Sequence, residues 1–131
     1  MLGDVIELSV VVRDLEAAIK DFETLFDLKV HHRGESKEFG FKNAILPLGR
    51  GHIELLQPTD PSGAVGRFLE TRGEGVYLVG FDVKDVAGSA KKLRAKGVRV
   101  TEGRPEFPIA WVLPRDAHGL FVELRRPEQY S

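Results

Sequence analysis

Three glutamates in this chain sit inside strand-like runs, where their spacing could support chemistry. Glu7 lies in VIELSVVV, Glu54 in HIELLQ and Glu123 in LFVEL. Successive side chains of a strand point to opposite faces. By that parity Glu7, His52, Glu54, Leu78, Phe121, Glu123 and Arg125 fall opposite the apolar rows Ile6/Leu8/Val10, Ile53/Leu55, Tyr77/Val79/Phe81 and Leu120/Val122/Leu124. Carboxylates that share a hollow are costly unless a cation, an arginine or a shared proton compensates them. Such a set can bind a divalent ion through oxygen, or move a proton as acid or base. For Glu54 and Glu123 the plainer reading is a structural pair neutralised by Arg125 or another basic group.

The elements that must position these groups follow from pattern and punctuation. Val5–Val12 is rich in β-branched residues and reads as a strand. Asp14 is placed to cap a helix, along which Leu15, Ala18, Ile19, Phe22 and Phe26 recur at helical spacing. Strands are expected over Lys29–Arg33, Glu38–Leu48 and His52–Gln57, the last ended by Pro58. Residues 59–74 form a Pro- and Gly-rich connector with a short helix over Ala64–Arg72. Val76–Val83 is again a strand, Asp85 caps a helix that Gly97 stops, and strands follow over Val98–Thr101, Ile109–Leu113 and Leu120–Leu124. A hairpin turn is expected at Asp116–Gly119.

The order strand, helix, three strands is thus stated twice. Val12-Arg13-Asp14-Leu15 is echoed by Val83-Lys84-Asp85-Val86, and Ile53-Glu54-Leu55 is echoed at nearly the same offset by Val122-Glu123-Leu124. Two copies and no third indicate an internal duplication. The expected fold is α+β: two tandem βαβββ modules, about residues 4–58 and 75–127, in a single domain of residues 1–131. Their mixed sheets are expected to pair edge to edge into a cupped, barrel-like sheet. One helix covers one face of each sheet, so the other face is left to enclose something.

Composition removes several classes. The 131 residues carry 19 basic and 20 acidic side chains, a net charge of −1, which argues against a nucleic-acid surface. There is no cysteine, so disulfides, thiolate metal sites and cysteine nucleophiles are excluded. The apolar runs are too short to span a membrane and Met1 leads into acidic residues, so a cytoplasmic protein is expected. No glycine-rich phosphate loop follows a strand, and no serine sits in a nucleophile motif. His31 and His32 are adjacent and cannot face one hollow together, His118 falls in the last turn, and Lys91, Lys92, Arg94 and Lys96 read as a solvated helix face.

With these residues in hand, the chain resembles the vicinal oxygen chelate superfamily of glyoxalases, extradiol dioxygenases, bleomycin-resistance proteins and methylmalonyl-CoA epimerases. The likeness runs from Val5 to Pro127. It is most similar to the epimerases through GRFLETRGEG at residues 66–75, Leu113-Pro114-Arg115-Asp116 and Val122-Glu123-Leu124. The family's metal ligands, usually two His and two Glu or Gln, come from the first and last strand of each repeat. Carried over by position, they fall on Glu7, Glu54, Leu78 and Glu123. Leucine cannot ligate, so Glu7, Glu54 and Glu123 remain as metal ligands. Oxygen donors alone suit Mg²⁺, Mn²⁺ or Ca²⁺ better than Zn²⁺. A further acid/base of some epimerases falls near Asn43, which can hold a substrate oxygen but not abstract a proton.

The resemblance implies a lyase or isomerase that transfers a proton next to a carbonyl of a small carboxylate or thioester, with or without a divalent metal. Glu54 and Glu123 are the catalytic candidates. Asn43, His52, Leu78, Trp111 and Phe121 are the candidates for a substrate pocket. The alternative is a metal-free binding protein of the same fold that sequesters an apolar ligand, as antibiotic-resistance proteins do; a ligand-free regulatory paralogue is a third reading. A small-molecule partner and a homodimer are expected, the latter because cupped sheets leave exposed edges.

Overall fold

A computed structural model of the chain describes residues 1–127. Strands β1 (Val5–Val11), β2 (His32–Ser36), β3 (Phe41–Leu48) and β4 (Gly51–Pro58) accompany helix α1 (Leu15–Phe26). Helix α2 (Ala64–Arg72) follows, and then β5 (Gly75–Asp82), helix α3 (Val86–Ala95), β6 (Thr101–Glu102), β7 (Ala110–Val112) and β8 (Val122–Arg125). The fold is α+β, with the βαβββ order present twice. The chain divides into two compact units, and the division cuts through β1 and β5. One unit is Leu8–Tyr77; the other joins Met1–Glu7 to the described residues from Leu78 onward.

In the unit Leu8–Tyr77 the strands lie in the order β2-β3-β4-β1, with β2, β3 and β4 antiparallel. The Val12 N–H donates to the Leu56 carbonyl at 2.8 Å and so ties the end of β1 to β4. Asp14 caps α1 by accepting from the Ala17 N–H at 3.0 Å, while Gln57 Oε1 accepts from the Leu15 N–H at 2.7 Å. Two of the orphan donors of the helix are thereby satisfied. Leu15 and Ile19 then pack on Val12, Ala44, Leu46 and Leu55, the face expected from parity. Helix α2 packs Val65 on Val11 and Leu56, and its Phe68 meets Tyr77 edge to face at 5.2 Å.

The other unit repeats the plan. Its strands run β5-β8-β7-β6, with β5 parallel to β8 and the remaining pairs antiparallel. Asp85 caps α3 through the Gly88 N–H at 3.0 Å, and Val86 and Ala90 cover Val83, Ala110, Val122 and Leu124. The Val83 N–H donates to the Arg125 carbonyl at 3.0 Å, which is the Val12–Leu56 bond restated in the second copy. Gly3 N–H donates to the Asp82 carbonyl and Asp82 N–H to the Asp4 carbonyl, at 2.7 and 2.9 Å. Those bonds hold the first residues of the chain along β5 and bring Glu7 into this unit.

Several boundaries differ from the sequence reading, among them the start of the third strand at Phe41 instead of Glu38 and of the last at Val122 instead of Leu120. The second strand starts at His32, not Lys29, because Val30 is drawn into the core under α1. Strand β6 shrinks to Thr101–Glu102: Val98 N–H still bonds back to Leu93, and the Arg94 guanidinium donates to the Val100 carbonyl at 2.8 Å. The expected hairpin turn begins as a 3₁₀ turn over Pro114–Asp116, after which His118 and Gly119 take left-handed φ of 54° and 93°.

Gly66 lies inside α2, where alanine would be favoured by about 1 kcal/mol of helix propensity. A Cβ there would stand 2.6 Å from the Asp60 carbonyl oxygen and 2.8 Å from Pro61 Cα, both backbone atoms. Sterics outweigh propensity at this position. Gly66→Ala is therefore expected to lower the urea midpoint; an unchanged or raised midpoint would show that the connector yields freely.

Candidate functional site

The carboxylates separate into two sets, one in each unit. Glu7, Glu123 and Arg125 are 3%, 6% and 6% exposed, so all three charged groups are out of water. Glu123 and Arg125 are two apart on β8 and share a face, while Glu7 arrives on β1 through the Asp4–Asp82 pairing. A single nitrogen, Arg125 Nη1, donates to Glu7 Oε1 at 2.7 Å and to Glu123 Oε2 at 3.0 Å. Trp111 sits opposite Glu123 on β7, and its Nε1–H donates to Glu123 Oε1 at 2.9 Å. Gly80 completes the arrangement by absence: a Cβ there would stand 2.7 Å from Glu7 Cβ and 3.4 Å from Arg125 Cδ.

Burial is the main reason that the Glu123 carboxyl is pushed well above the ordinary value of 4.5. The neighbouring Glu7 charge and a hydrogen bond with Glu7 push the same way, against Arg125 and Trp111. That upward shift favours the neutral form of Glu123, in which one carboxylate, that of Glu7, faces one guanidinium. The plainer reading of the sequence, Glu54 and Glu123 as a pair neutralised by a basic group such as Arg125, holds for Glu123 alone: its carboxyl partner on Arg125 is Glu7.

In the unit Leu8–Tyr77, Glu54 is half-buried and accepts from two neutral side chains. Ser9 Oγ donates to Glu54 Oε1 at 2.9 Å and Asn43 Nδ2 to Oε2 at 2.7 Å. The register explains the meeting: β4 places Glu54 opposite Ile45 and Leu56 opposite Asn43, so Asn43 lies diagonally beside Glu54 on one face. Pairing of Gly34 with Asn43 puts His32 on that face too. A Cβ on Gly34 would lie 2.9 Å from Asn43 Oδ1 and 3.1 Å from His32 Nε2. His52 is buried two residues before Glu54.

Of the other expected pocket residues, Leu78 is buried on β5, while Trp111 and Phe121 are half-buried. His118 and the lysines of α3 are exposed, as their patterns suggest. Two surface hollows of about 300 and 440 Å³ lie elsewhere, near Pro58, Thr59 and Gly66 and near Gly3, Lys84 and Ser89 respectively. Sequence reasoning passes over Gly80 and Ser9 as a partner of Glu54, and it sets His32 aside with His31. Parity alone offers a signal for Ser9, which lies on the same face of β1 as Glu7.

The metal ligands expected from the resemblance meet a different arrangement. Among the described residues no three His, Asp or Glu side chains gather as a ligand set. More directly, a guanidinium nitrogen already bridges Glu7 and Glu123 at hydrogen-bond distance, and a divalent ion there would face a fixed positive charge. Leu78 offers no donor. The residues around Glu7 and Glu123 do not fit a resident metal.

Residues 8–113 match the family described as the Glyoxalase/Bleomycin resistance protein/Dioxygenase superfamily, in which metal dependence is common. The chain is 26% identical to an ethylmalonyl-CoA/methylmalonyl-CoA epimerase of Cereibacter sphaeroides, over 96% of this chain and 99% of that protein. A methylmalonyl-CoA epimerase variant of Streptomyces coelicolor, solved with 2-nitronate-propionyl-CoA, superposes with a TM-score of 0.89 at 28% identity, covering 98% of this chain and 100% of that one. The methylmalonyl-CoA epimerase of Mycobacterium tuberculosis gives 0.87 at 27% identity, covering 98% and 90%.

Two outcomes follow from the buried cluster. Removing one partner of a buried ion pair strands the other, at a cost of about 3–5 kcal/mol, whereas neutral replacement of both is close to stability-neutral. Arg125→Met should lose about that much in urea unfolding, and adding Glu7→Gln should restore most of it; equal loss in both would mean that the charges are not coupled. Because the folded Glu123 carboxyl titrates higher than the unfolded one, its contribution is complete below pH 4.5 and is lost as pH rises through the folded value. The stability of wild type relative to Glu123→Gln should accordingly fall as pH rises from 4.5, and a flat difference would contradict the assignment.

Proposed function

The chain belongs to the Glyoxalase/Bleomycin resistance protein/Dioxygenase superfamily, and on that footing we propose that it is an isomerase that moves a proton at the carbon beside a carbonyl. The substrate class is a small carboxylate or acyl thioester, with a 2-substituted malonyl-CoA as the first to try. Support comes from the relatives named above, which are epimerases of ethylmalonyl- and methylmalonyl-CoA. The observation that carries the assignment is Glu54, a half-buried carboxylate held on both oxygens by Ser9 and Asn43.

Those two bonds fix the plane of the carboxylate, which is the positioning that a general base requires. Glu54 takes the proton from the carbon next to the thioester carbonyl, and the electron pair moves onto the carbonyl oxygen as an enolate. Return of a proton to the same face gives exchange alone; inversion needs a proton delivered from water to the opposite face of the carbon. Asn43 serves as a positioning residue, not as the base. Glu123 stays in the arginine-bound cluster and is given no part in the transfer. The oxygen-only donors favour Mg²⁺, Mn²⁺ or Ca²⁺ over Zn²⁺, yet no step is assigned to a metal, since two of the three expected ligands already hold Arg125. The same reading includes a cytoplasmic homodimer; no described helix is long and apolar enough to cross a membrane.

The rival reading, a binding protein without turnover, is favoured by the buried Leu78, which puts an apolar side chain at a position where the family resemblance implies a ligand imidazole. Deuterium wash-in separates the two. In D₂O the wild type should exchange the C2 proton of methylmalonyl-CoA, and Glu54→Gln should slow this by about 10²-fold or more. Ser9→Ala should slow it less. Tight binding of the thioester with no exchange would support the rival and end the isomerase reading.

A further inference from the structure

The position where the two buried carboxylates converge is already filled by the chain itself. One guanidinium nitrogen contacts Glu7 Oε1 and Glu123 Oε2, and Trp111 takes the other oxygen of Glu123. The side chains around it are suited to this occupant and not to an ion. Gly80 leaves the room that Glu7 Cβ and Arg125 Cδ use, and any Cβ at that position would stand 2.7 Å from Glu7 Cβ. Leu78, buried at 6% exposure and two residues earlier on the same face of β5, supplies no lone pair. The repeat shows what changed: the partner of Glu7 by duplication is Leu78, the partner of Ser9 is Gly80, and the partner of Leu56 is Arg125. A carboxylate, a hydroxyl and an apolar side chain in one copy stand against an apolar side chain, a gap and a guanidinium in the other.

We infer that Arg125 is a built-in cation that occupies the place of a divalent ion between Glu7 and Glu123, so that this chain binds no metal there. The guanidinium supplies positive charge and directional N–H donors, which a planar fork delivers to carboxylates better than an ammonium does. The arrangement holds its charge balance at any metal concentration and gives a chelator nothing to remove. It goes beyond the proton-transfer reading and does not depend on it, because its readout is metal binding, not turnover.

Manganese titration of the full-length chain, followed by electron paramagnetic resonance and calorimetry, tests it. Wild type should show no saturable Mn²⁺ binding up to millimolar concentration. Arg125→Met, which frees both carboxylates, should bind Mn²⁺ at least tenfold more tightly than wild type, and Arg125→Met with Glu7→Gln should lose that gain. Saturable binding of one Mn²⁺ to wild type, weakened tenfold by Glu7→Gln or Glu123→Gln, would overturn the inference. So would a folded Arg125→Met that gains no binding, since the position would then never have been one for a metal. The wild-type titration with the Glu7→Gln and Glu123→Gln controls decides the matter if Arg125→Met fails to fold.

Discussion

One guanidinium held between two buried carboxyls constrains much of the unit that contains it. Taking three ionisable groups out of water costs several kcal/mol for each ion unless their charges and hydrogen bonds are met locally. Here Arg125 Nη1 and Trp111 Nε1–H donate to the carboxyls, burial and the Glu7 charge push the Glu123 carboxyl upward, and Arg125 Nε is left buried without a hydrogen-bond partner among the described residues. Meeting them imposes conditions far apart in sequence. Gly80 must lack a side chain, Trp111 must lie opposite Glu123, and the first residues must be tied to Asp82 so that Glu7 arrives. The inclusion of Met1–Glu7 in this unit, although the whole of the other unit separates it in sequence from Leu78, follows from that tie.

Duplication gave the two halves one backbone plan, and the side chains then diverged at equivalent positions. Both copies keep the aspartate cap, the amide-to-carbonyl bond that joins their first strand to their last, and the glutamate in that last strand. Each glutamate still accepts a side-chain N–H from a neighbouring strand, Asn43 in one copy and Trp111 in the other. Other partners differ in kind. Glu54 has a neutral hydroxyl from Ser9, whereas Glu123 has a guanidinium and another carboxyl. The first environment is that of a group placed to accept, and the second is that of a group kept out of solvent and balanced.

Most of this fold was legible from pattern. The apolar alternation, Asp14 and Asp85 as caps, and the near-constant spacing between matching residues of the two copies are local signals that survive into the structure. Parity puts Glu7, Glu54 and Glu123 on the faces away from α1 and α3, and Arg125 beside Glu123. What parity cannot show is which cation a carboxylate meets, because that depends on strand register and on side-chain reach. Asn43 shows the same limit: the sequence offers it as a contact for substrate, and the β3–β4 register makes it a donor to Glu54. Gly80 carries no sequence signal, since its role is the space that it leaves. Boundaries slip where tertiary contacts override local preference, as with Val30 beneath α1 and Arg94 on the Val100 carbonyl.

Glu7 and Glu123 therefore belong to an arginine where family resemblance alone implies an ion. The most direct measurement is anomalous X-ray scattering from crystals of the wild-type chain soaked in Mn²⁺. The account predicts continuous density for the Arg125 side chain between the two carboxyls, and no anomalous peak within coordination distance of either. A peak bridging Glu7 and Glu123, with Arg125 turned away, would contradict it.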